Sequence, residues 1–383
     1  MKKRVLFING HLNAGGVERS LVDVLRHFDY TQYEVDLMLL EGGGDYIHEI
    51  PSDVHINIYP LNDASGPFLR MQCRNLSQGK LKLFIYRFIT QFISSKDIRK
   101  LAWARCLFTE SQKNYDAIIA YRVGRPLSFA AYILKGRKKI VWWHHGEMNF
   151  QGEALLTLEN GFKAMDRIVA VSKSSGKLIR KNFPSVSQKV TVIPNMLCAD
   201  DIRAKAGQYA VSQATDVFQI VSIGNFFIEK NMGFCVSIAS RLKKEKVPFH
   251  WTLIGSGPKF EEVQNEITQN DLQDEVTCTG KLNNPYPYLK LADLYFHPSL
   301  IESQGLTVME AMAFDKPIVC VASEGPKEFI KSGVNGILIN ASVEEAVQAI
   351  LKIWKKEKCL NVGNTLDTFA PKRIIQQIED SIN

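Results

Sequence analysis

The chain has 383 residues, 45% of them hydrophobic and 23% charged, an ordinary globular composition long enough for two domains. Its seven cysteines, Cys73, Cys106, Cys198, Cys235, Cys278, Cys320 and Cys359, are scattered, odd in number and without a C-x-x-C pair, which argues against a disulfide framework or a zinc site and fits a reducing cytosol. A net charge of +7 is mildly basic, and no run approaches the roughly 20 apolar residues of a membrane span.

The N-terminal stretch Met1–Gly10 is basic and then apolar, but the apolar run is short and lacks a small-residue cleavage site, so a first buried strand is expected there rather than a signal peptide. Short apolar strands follow at Arg4–Asn9, Val35–Leu40, His55–Tyr59, Ala117–Tyr121, Lys139–His144, Arg167–Val171 and Val190–Ile193, with helices such as Val17–Phe28 and Leu127–Leu134 between them. That alternation predicts a parallel sheet covered on both faces. From Pro194 to Asp216 the pattern breaks, as a linker would. A second series then runs Phe218–Ile223, His250–Ile254, Glu275–Cys278, Leu294–Phe296, Ile318–Val321 and Gly336–Ile339. The expectation is an α/β protein of two Rossmann-like domains, 1–200 and 201–383, facing each other across a cleft, with a last helix near Pro371–Ile382 available to cross back.

In open α/β sheets ligands bind beyond the carboxyl ends of the strands, so the loops there are the places to search. Gly15-Gly16 follows the first strand and opens a helix, either as a tight turn or as backbone that approaches an anion. The G-x-G-x-x-G fingerprint of dinucleotide binding is absent. His144 and His145 end a strand; neighbours there point to opposite faces, and no third ligand has metal spacing. Lys230 lies near a helix start, electrostatically unfavourable unless an anion sits there. Gly255-Ser-Gly257-Pro258 is a sharp strand-to-helix turn, mainly structural, and Lys281 follows the strand that ends near Cys278. The richest segment is Pro298-Ser-Leu-Ile-Glu302-Ser-Gln-Gly305-Leu-Thr-Val-Met-Glu310. It sets Glu302 at a strand end beside a helix N-terminus and Glu310 about a turn and a half further along. A phosphate cradle flanked by two hydroxyl acceptors suits a sugar nucleotide. The bland alternative is a helix-start charge and a solvated glutamate.

Together these residues resemble glycosyltransferase family 4, the retaining enzymes of GT-B fold. The likeness rests on Gly15-Gly16-Val-Glu18-Arg19, Val141–Gly146, Asp166–Ser172, Val192–Asn195, Glu229-Lys230-Asn231, Gly255–Pro258 and the E-x7-E from Glu302 to Glu310, in that order along nearly the whole chain. The resemblance implies that Gly16 touches the donor diphosphate, that His145 is the cleft histidine near the donor sugar, and that Lys230 holds the diphosphate. It implies that Glu302 grips the sugar, that the amides of Gly305, Leu306 and Thr307 receive phosphate oxygens, and that Glu310 accepts from the ribose. Where family members usually carry arginine this chain has Asn225, which donates a hydrogen bond without charge. The implied reaction moves a hexose-type sugar from a UDP- or GDP-linked donor to a saccharide or lipid-linked acceptor in surface-polysaccharide synthesis. Neither cofactor nor metal is expected, and neither glutamate acts as nucleophile. Alternatives are a sugar-nucleotide 2-epimerase of the same fold and a non-catalytic partner subunit; only Asn225 leans toward the latter.

Between Phe68 and Phe108, Lys80, Lys82, Arg87, Lys96, Arg99 and Lys100 alternate with apolar residues at helical spacing. Such a helix either packs on the core with a solvated basic face or lies on an anionic membrane. The second case gives a cytoplasmic protein peripheral on the inner face of the membrane. Nucleic acid is not an expected partner, since no recognised binding module accompanies the charge.

Overall fold

The computed structural model describes residues 2–59, 108–211, 217–357, 360 and 362–383, with isolated positions between 73 and 85. The basic positions Lys80, Lys82, Arg87, Lys96, Arg99 and Lys100 lie outside the described residues. By its internal contacts the chain divides into two units, residues 1–196 with 371–383, and residues 197–370.

The first unit holds a parallel sheet of β1 (Lys3–Asn9), β2 (Tyr33–Leu39), β3 (Val54–Ile58), β4 (Tyr115–Ala120), β5 (Gly136–Trp143), β6 (Arg167–Ala170) and β7 (Val190–Val192), in the order β3-β2-β1-β4-β5-β6-β7. Val5, Leu6, Phe7 and Ile8 are all fully buried, because helices cover both faces and a strand in that position needs apolar side chains on both. The covering helices include α1 (Gly16–His27), the short α2 (Arg125–Ser128), α3 (Gly152–Lys163) and α4 (Lys173–Asn182). Helix α4 starts on Ser172, whose hydroxyl accepts from the Ser175 amide at 3.1 Å.

The second unit repeats the design with β8 (Phe218–Ile223), β9 (Phe249–Ile254), β10 (Val276–Gly280), β11 (Leu294–His297), β12 (Ile318–Val321) and β13 (Ile337–Ile339), all parallel, in the order β10-β9-β8-β11-β12-β13. Its helices are α5 (Ala199–Lys205), α6 (Met232–Lys244), α7 (Phe260–Gln269), α8 (Tyr286–Leu291), α9 (Leu306–Met312) and α10 (Val343–Trp354). In α6 the buried residues Met232, Cys235, Val236, Ile238, Ala239 and Leu242 form one helical stripe, and Arg241, Lys243 and Lys244 complement the carboxyl end of its dipole. Strand order reverses between β8 and β11, which is where an open α/β sheet parts its loops and leaves a crevice.

Two local readings change. The expected linker after Pro194 contains α5, because Ile202 is buried and the Arg203 Nε donates to the Ala313 carbonyl at 2.8 Å. Strand β5 begins at Gly136 rather than Lys139, since Gly136 pairs with Tyr115 and a Cβ there would stand 2.8 Å from Ile118. The last helix, α11 (Pro371–Ile382), belongs to the first unit, where it packs on α1 and the Arg167 Nη1 donates to the Ser381 hydroxyl at 2.9 Å.

Candidate active site

The second unit's site is built on the two loops that leave the switch point. The loop after β8 is pinned by Phe226, fully buried with its ring 5.0 Å from Phe260. Gly255 and Gly257 make the pinning possible. A Cβ on Gly255 would lie 1.9 Å from the Gly224 carbonyl oxygen, at a φ of +147° that suits glycine, and one on Gly257 would lie 2.7 Å from the Phe226 backbone. The Phe226 amide donates to the Ser256 carbonyl at 3.0 Å, so this turn is structural, as the sequence suggests. The chain then tightens into a single turn, Ile228–Lys230. Asn231 takes a left-handed conformation at φ +54° and α6 begins. The Glu229 carbonyl accepts from the Leu300 amide at 2.8 Å, which ties this loop to the one after β11.

That tie brings two candidate residues together. Lys230 Nζ donates to Glu302 Oε1 at 2.7 Å, with the side chains 26% and 12% exposed. His297, the last residue of β11 and nearly buried, faces the same oxygen through Nε2 at 3.1 Å. Burial by itself would push the Glu302 carboxyl up. Lys230 and then His297 outweigh it and hold the group down at about 2, so it is a carboxylate at neutral pH. Behind it, the Tyr295 hydroxyl lies 3.2 Å from His297 Nδ1 and donates to Thr307 Oγ1 at 2.8 Å. Burial raises the Tyr295 pKa well above its ordinary value.

Gly305 caps α9 at φ +90°, and Leu306 and Thr307 are the first residues of that helix, where backbone N–H groups have no intrahelical acceptor. Glu310 lies on the same helix, and the Tyr286 hydroxyl donates to its Oε1 at 3.2 Å. Asn225 and Lys281 are exposed on the loops that follow β8 and β10. Sequence reasoning misses His297, Tyr295 and Tyr286. The available signal is a histidine closing an otherwise apolar buried strand just before Pro298.

The first unit carries its own set at the carboxyl ends of β1, β4 and β5. Gly15 and Gly16 start α1, and a Cβ on Gly15 would stand 2.6 Å from Glu18 Oε2. Glu18 is buried and paired with Arg122 at 3.2 Å, so this helix start already holds a carboxylate. His145 is exposed at its edge while its ring packs on Trp143 and Phe150; that burial, with Arg122 nearby, lowers its pKa. His144 is the packed neighbour, against Tyr121, and its Nε2 is buried with no hydrogen-bond partner among the described residues. Burial, with help from His145 and Arg122, pushes it down to about 3, so it is neutral. No three histidine, cysteine or carboxylate groups converge as a metal set among the described residues.

The comparisons with known proteins agree with this architecture. The profile "Glycosyltransferase Family 4" matches residues 14–200, and "Glycosyl transferases group 1" matches residues 210–366. The chain is 25% identical over 355 residues to an uncharacterized glycosyltransferase of Haemophilus influenzae, covering 91% of this chain and 90% of that one. It is 25% identical over 299 residues to the N-acetyl-alpha-D-glucosaminyl L-malate synthase of Bacillus anthracis, covering 73% and 77%. Among solved structures, Anabaena HepE with UDP and glucose superposes with a TM-score of 0.70 at 19% identity, over 99% of this chain and 98% of that one. A mutant of S. aureus TarM in complex with Fondaparinux, alpha-GlcNAc-glycerol and UDP gives 0.71 at 13% identity, over the whole of both. With both domain profiles in place and the fold shared end to end, the chain belongs to the group 1 and family 4 glycosyltransferases of GT-B fold.

Proposed function

We propose that this transferase moves a hexose-type sugar from a nucleoside-diphosphate sugar, UDP- or GDP-linked, to a saccharide or lipid-linked saccharide in cell-surface polysaccharide synthesis. The observation that carries the proposal is the Lys230–Glu302 pair at the β8/β11 switch point, beside the start of α9. In this reading Lys230 and the amides of Gly305, Leu306 and Thr307 take the diphosphate, with Asn225 and Lys281 at the rim. Glu302 takes the sugar hydroxyls and Glu310 those of the ribose. HepE, with UDP and glucose, and TarM, with UDP, support the donor class by likeness of fold. On the first unit, Gly15, Gly16 and His145 remain the residues proposed to meet the donor from their own sheet edge.

The chemistry follows from charge. As the sugar–phosphate bond breaks, negative charge grows on the departing diphosphate, and a fixed ammonium with preset backbone dipoles stabilises it without reorganising. Glu302 is the partner of Lys230 in the free protein, so the incoming diphosphate shares a lysine that is already held in place. The sugar retains its configuration by attack from the face the diphosphate leaves, with no carboxylate nucleophile and no metal.

Lys230→Ala is expected to lower nucleoside-diphosphate release from the best of UDP-glucose, UDP-N-acetylglucosamine and GDP-mannose by about 100-fold or more. Because that change leaves a mostly buried carboxylate with His297 alone as its partner, Lys230→Met/Glu302→Gln serves as the companion expected to keep the fold intact. Wild-type turnover in either purified variant sinks the assignment. The acceptor is proposed to be lipid-linked on the sequence of the basic segment alone. Replacing Lys80, Lys82, Arg87, Lys96, Arg99 and Lys100 with glutamine, at roughly 1 kcal/mol each near an anionic surface, should release the protein from anionic vesicles in co-sedimentation. Equal sedimentation of the variant removes that idea.

A further inference from the structure

The two oxygens of Glu302 are not equivalent. Oε1 receives both Lys230 Nζ at 2.7 Å and His297 Nε2 at 3.1 Å. Oε2 has no hydrogen bond among the described residues, and it is not one of the buried atoms left without a partner. The carboxylate is therefore held so that one oxygen is saturated by protein and the other is left exposed and without a protein donor among the described residues.

Two donors fix that orientation, and they differ in kind. Lys230 is a flexible four-carbon stem whose ammonium is proposed to engage the diphosphate, so its hold on Glu302 changes when a donor arrives. His297 is a rigid ring at the end of β11, its side chain 3% exposed, and nothing in the proposed chemistry draws it away. A carboxylate only accepts, so Nε2 donates to Glu302, while Nδ1 lies 3.2 Å from the Tyr295 hydroxyl. That hydroxyl continues to Thr307 Oγ1 at 2.8 Å, on the first turn of α9. The chain of contacts thus joins the sugar-facing carboxylate to the helix start assigned to the phosphates.

We propose that His297 is a positioning residue for transfer: it holds Glu302 through Oε1 so that Oε2 alone is presented to a donor-sugar hydroxyl, and through Tyr295 it keeps that oxygen in register with the first turn of α9. The proposal rests on the reading of Glu302 as the sugar-gripping group. It predicts a specific signature. Loss of His297 leaves the diphosphate contacts in place and frees the carboxylate to rotate, so the sugar part of the donor loses affinity and the nucleotide part does not.

The test is calorimetric titration of wild type, His297→Leu and His297→Gln with UDP, UDP-glucose and UDP-N-acetylglucosamine, and with GDP and GDP-mannose, after melting curves confirm folding. Glutamine returns an N–H near the position of Nε2, whereas leucine fills the space without one. Wild type should bind one sugar nucleotide more tightly than its parent diphosphate. In His297→Leu that advantage should shrink by about tenfold or more, the scale of a lost hydrogen bond to a charged group, with the diphosphate bound as before. His297→Gln should recover most of it. If wild type shows no advantage of any sugar nucleotide over its diphosphate, the reading of Glu302 fails and the proposal falls with it. If wild type shows the advantage and a folded His297→Leu keeps it, or loses diphosphate and sugar affinity alike, or if His297→Gln fails to recover it, the positioning role alone is overturned. Should His297→Leu not fold, His297→Gln against Tyr295→Phe repeats the comparison. Tyr295→Phe must then cost sugar affinity selectively, and equal losses for both ligands overturn the role.

Discussion

Glu310 accepts from the Tyr286 hydroxyl through Oε1 at 3.2 Å, which orients its carboxylate. Glu310→Gln is expected to weaken binding of the parent nucleoside diphosphate by about tenfold, because a charged acceptor is replaced by a neutral one. Unchanged affinity by calorimetry would remove the ribose assignment. His144 gives an independent test at the same scale. Its folded pKa of about 3 lies below the ordinary histidine value, so the unfolded chain takes up the proton first. Its contribution to stability is complete above roughly pH 6.5 and is lost progressively as pH falls toward 3. Glu302, held at about 2, loses its own contribution in a lower window, from roughly 4.3 downward. Urea unfolding at pH 7 and pH 5 should therefore separate the two. His144→Phe should lose about 2 kcal/mol less than wild type between those pH values, and equal losses would mean that His144 is not kept neutral by burial.

At the scale of elements, the strands were legible because a parallel strand covered on both faces must be apolar without interruption, as in Val5–Ile8 and Ile318–Val321. The E-x7-E stretch was legible for a related reason: its two carboxylates share one loop and one helix, so their spacing survives any packing. The roles of Tyr295 and Tyr286 were not, because each depends on a neighbour well along the chain, Tyr286 on Glu310 and Tyr295 on Thr307, and that of His297 depends on how the loop after β11 folds Glu302 back onto its ring. Helix α5 escaped notice for the same cause; the buried Ile202, packing on α8 and the Arg203–Ala313 contact hold a polar segment that has no amphipathic stripe of its own. The paired loops carry an element-level prediction. Gly255→Ala places a methyl 1.9 Å from the Gly224 oxygen and should cost upward of about 3 kcal/mol by shifting the loop that delivers Lys230. Thermal unfolding measures the cost. A melting point within a degree or two of wild type would show that the loop yields without strain.

At the scale of the whole molecule the chain passes from the first unit to the second after Met196 and returns after Ala370. The return brings Ile374, Ile375, Ile378 and Ile382 into the first unit, all buried. Ending the chain at residue 370 should therefore destabilise the first unit by several kcal/mol, at roughly 1.5 kcal/mol or more for each buried isoleucine. The second unit keeps its own cores. Scanning calorimetry should then show one transition lowered and one nearly unmoved, and equal lowering of both would mean that the units do not melt separately. No helix among the described residues is long and apolar enough to cross a membrane.

The central claim is that a sugar nucleotide is held where β8 and β11 part. Hydrogen exchange with and without saturating donor, using the best binder among UDP-glucose, UDP-N-acetylglucosamine and GDP-mannose, reads that claim directly. The account predicts slowed exchange in peptides spanning residues 225–231 and 302–310, with the amides of Leu306 and Thr307 inside the protected region. Another groove of this unit, with a cavity volume of about 500 Å³, is lined by Ser332, Ile337, Glu345 and Lys352. Its peptides should not change. Protection confined to that groove, or binding by a sugar nucleotide that leaves 225–231 and 302–310 exchanging as before, would contradict it.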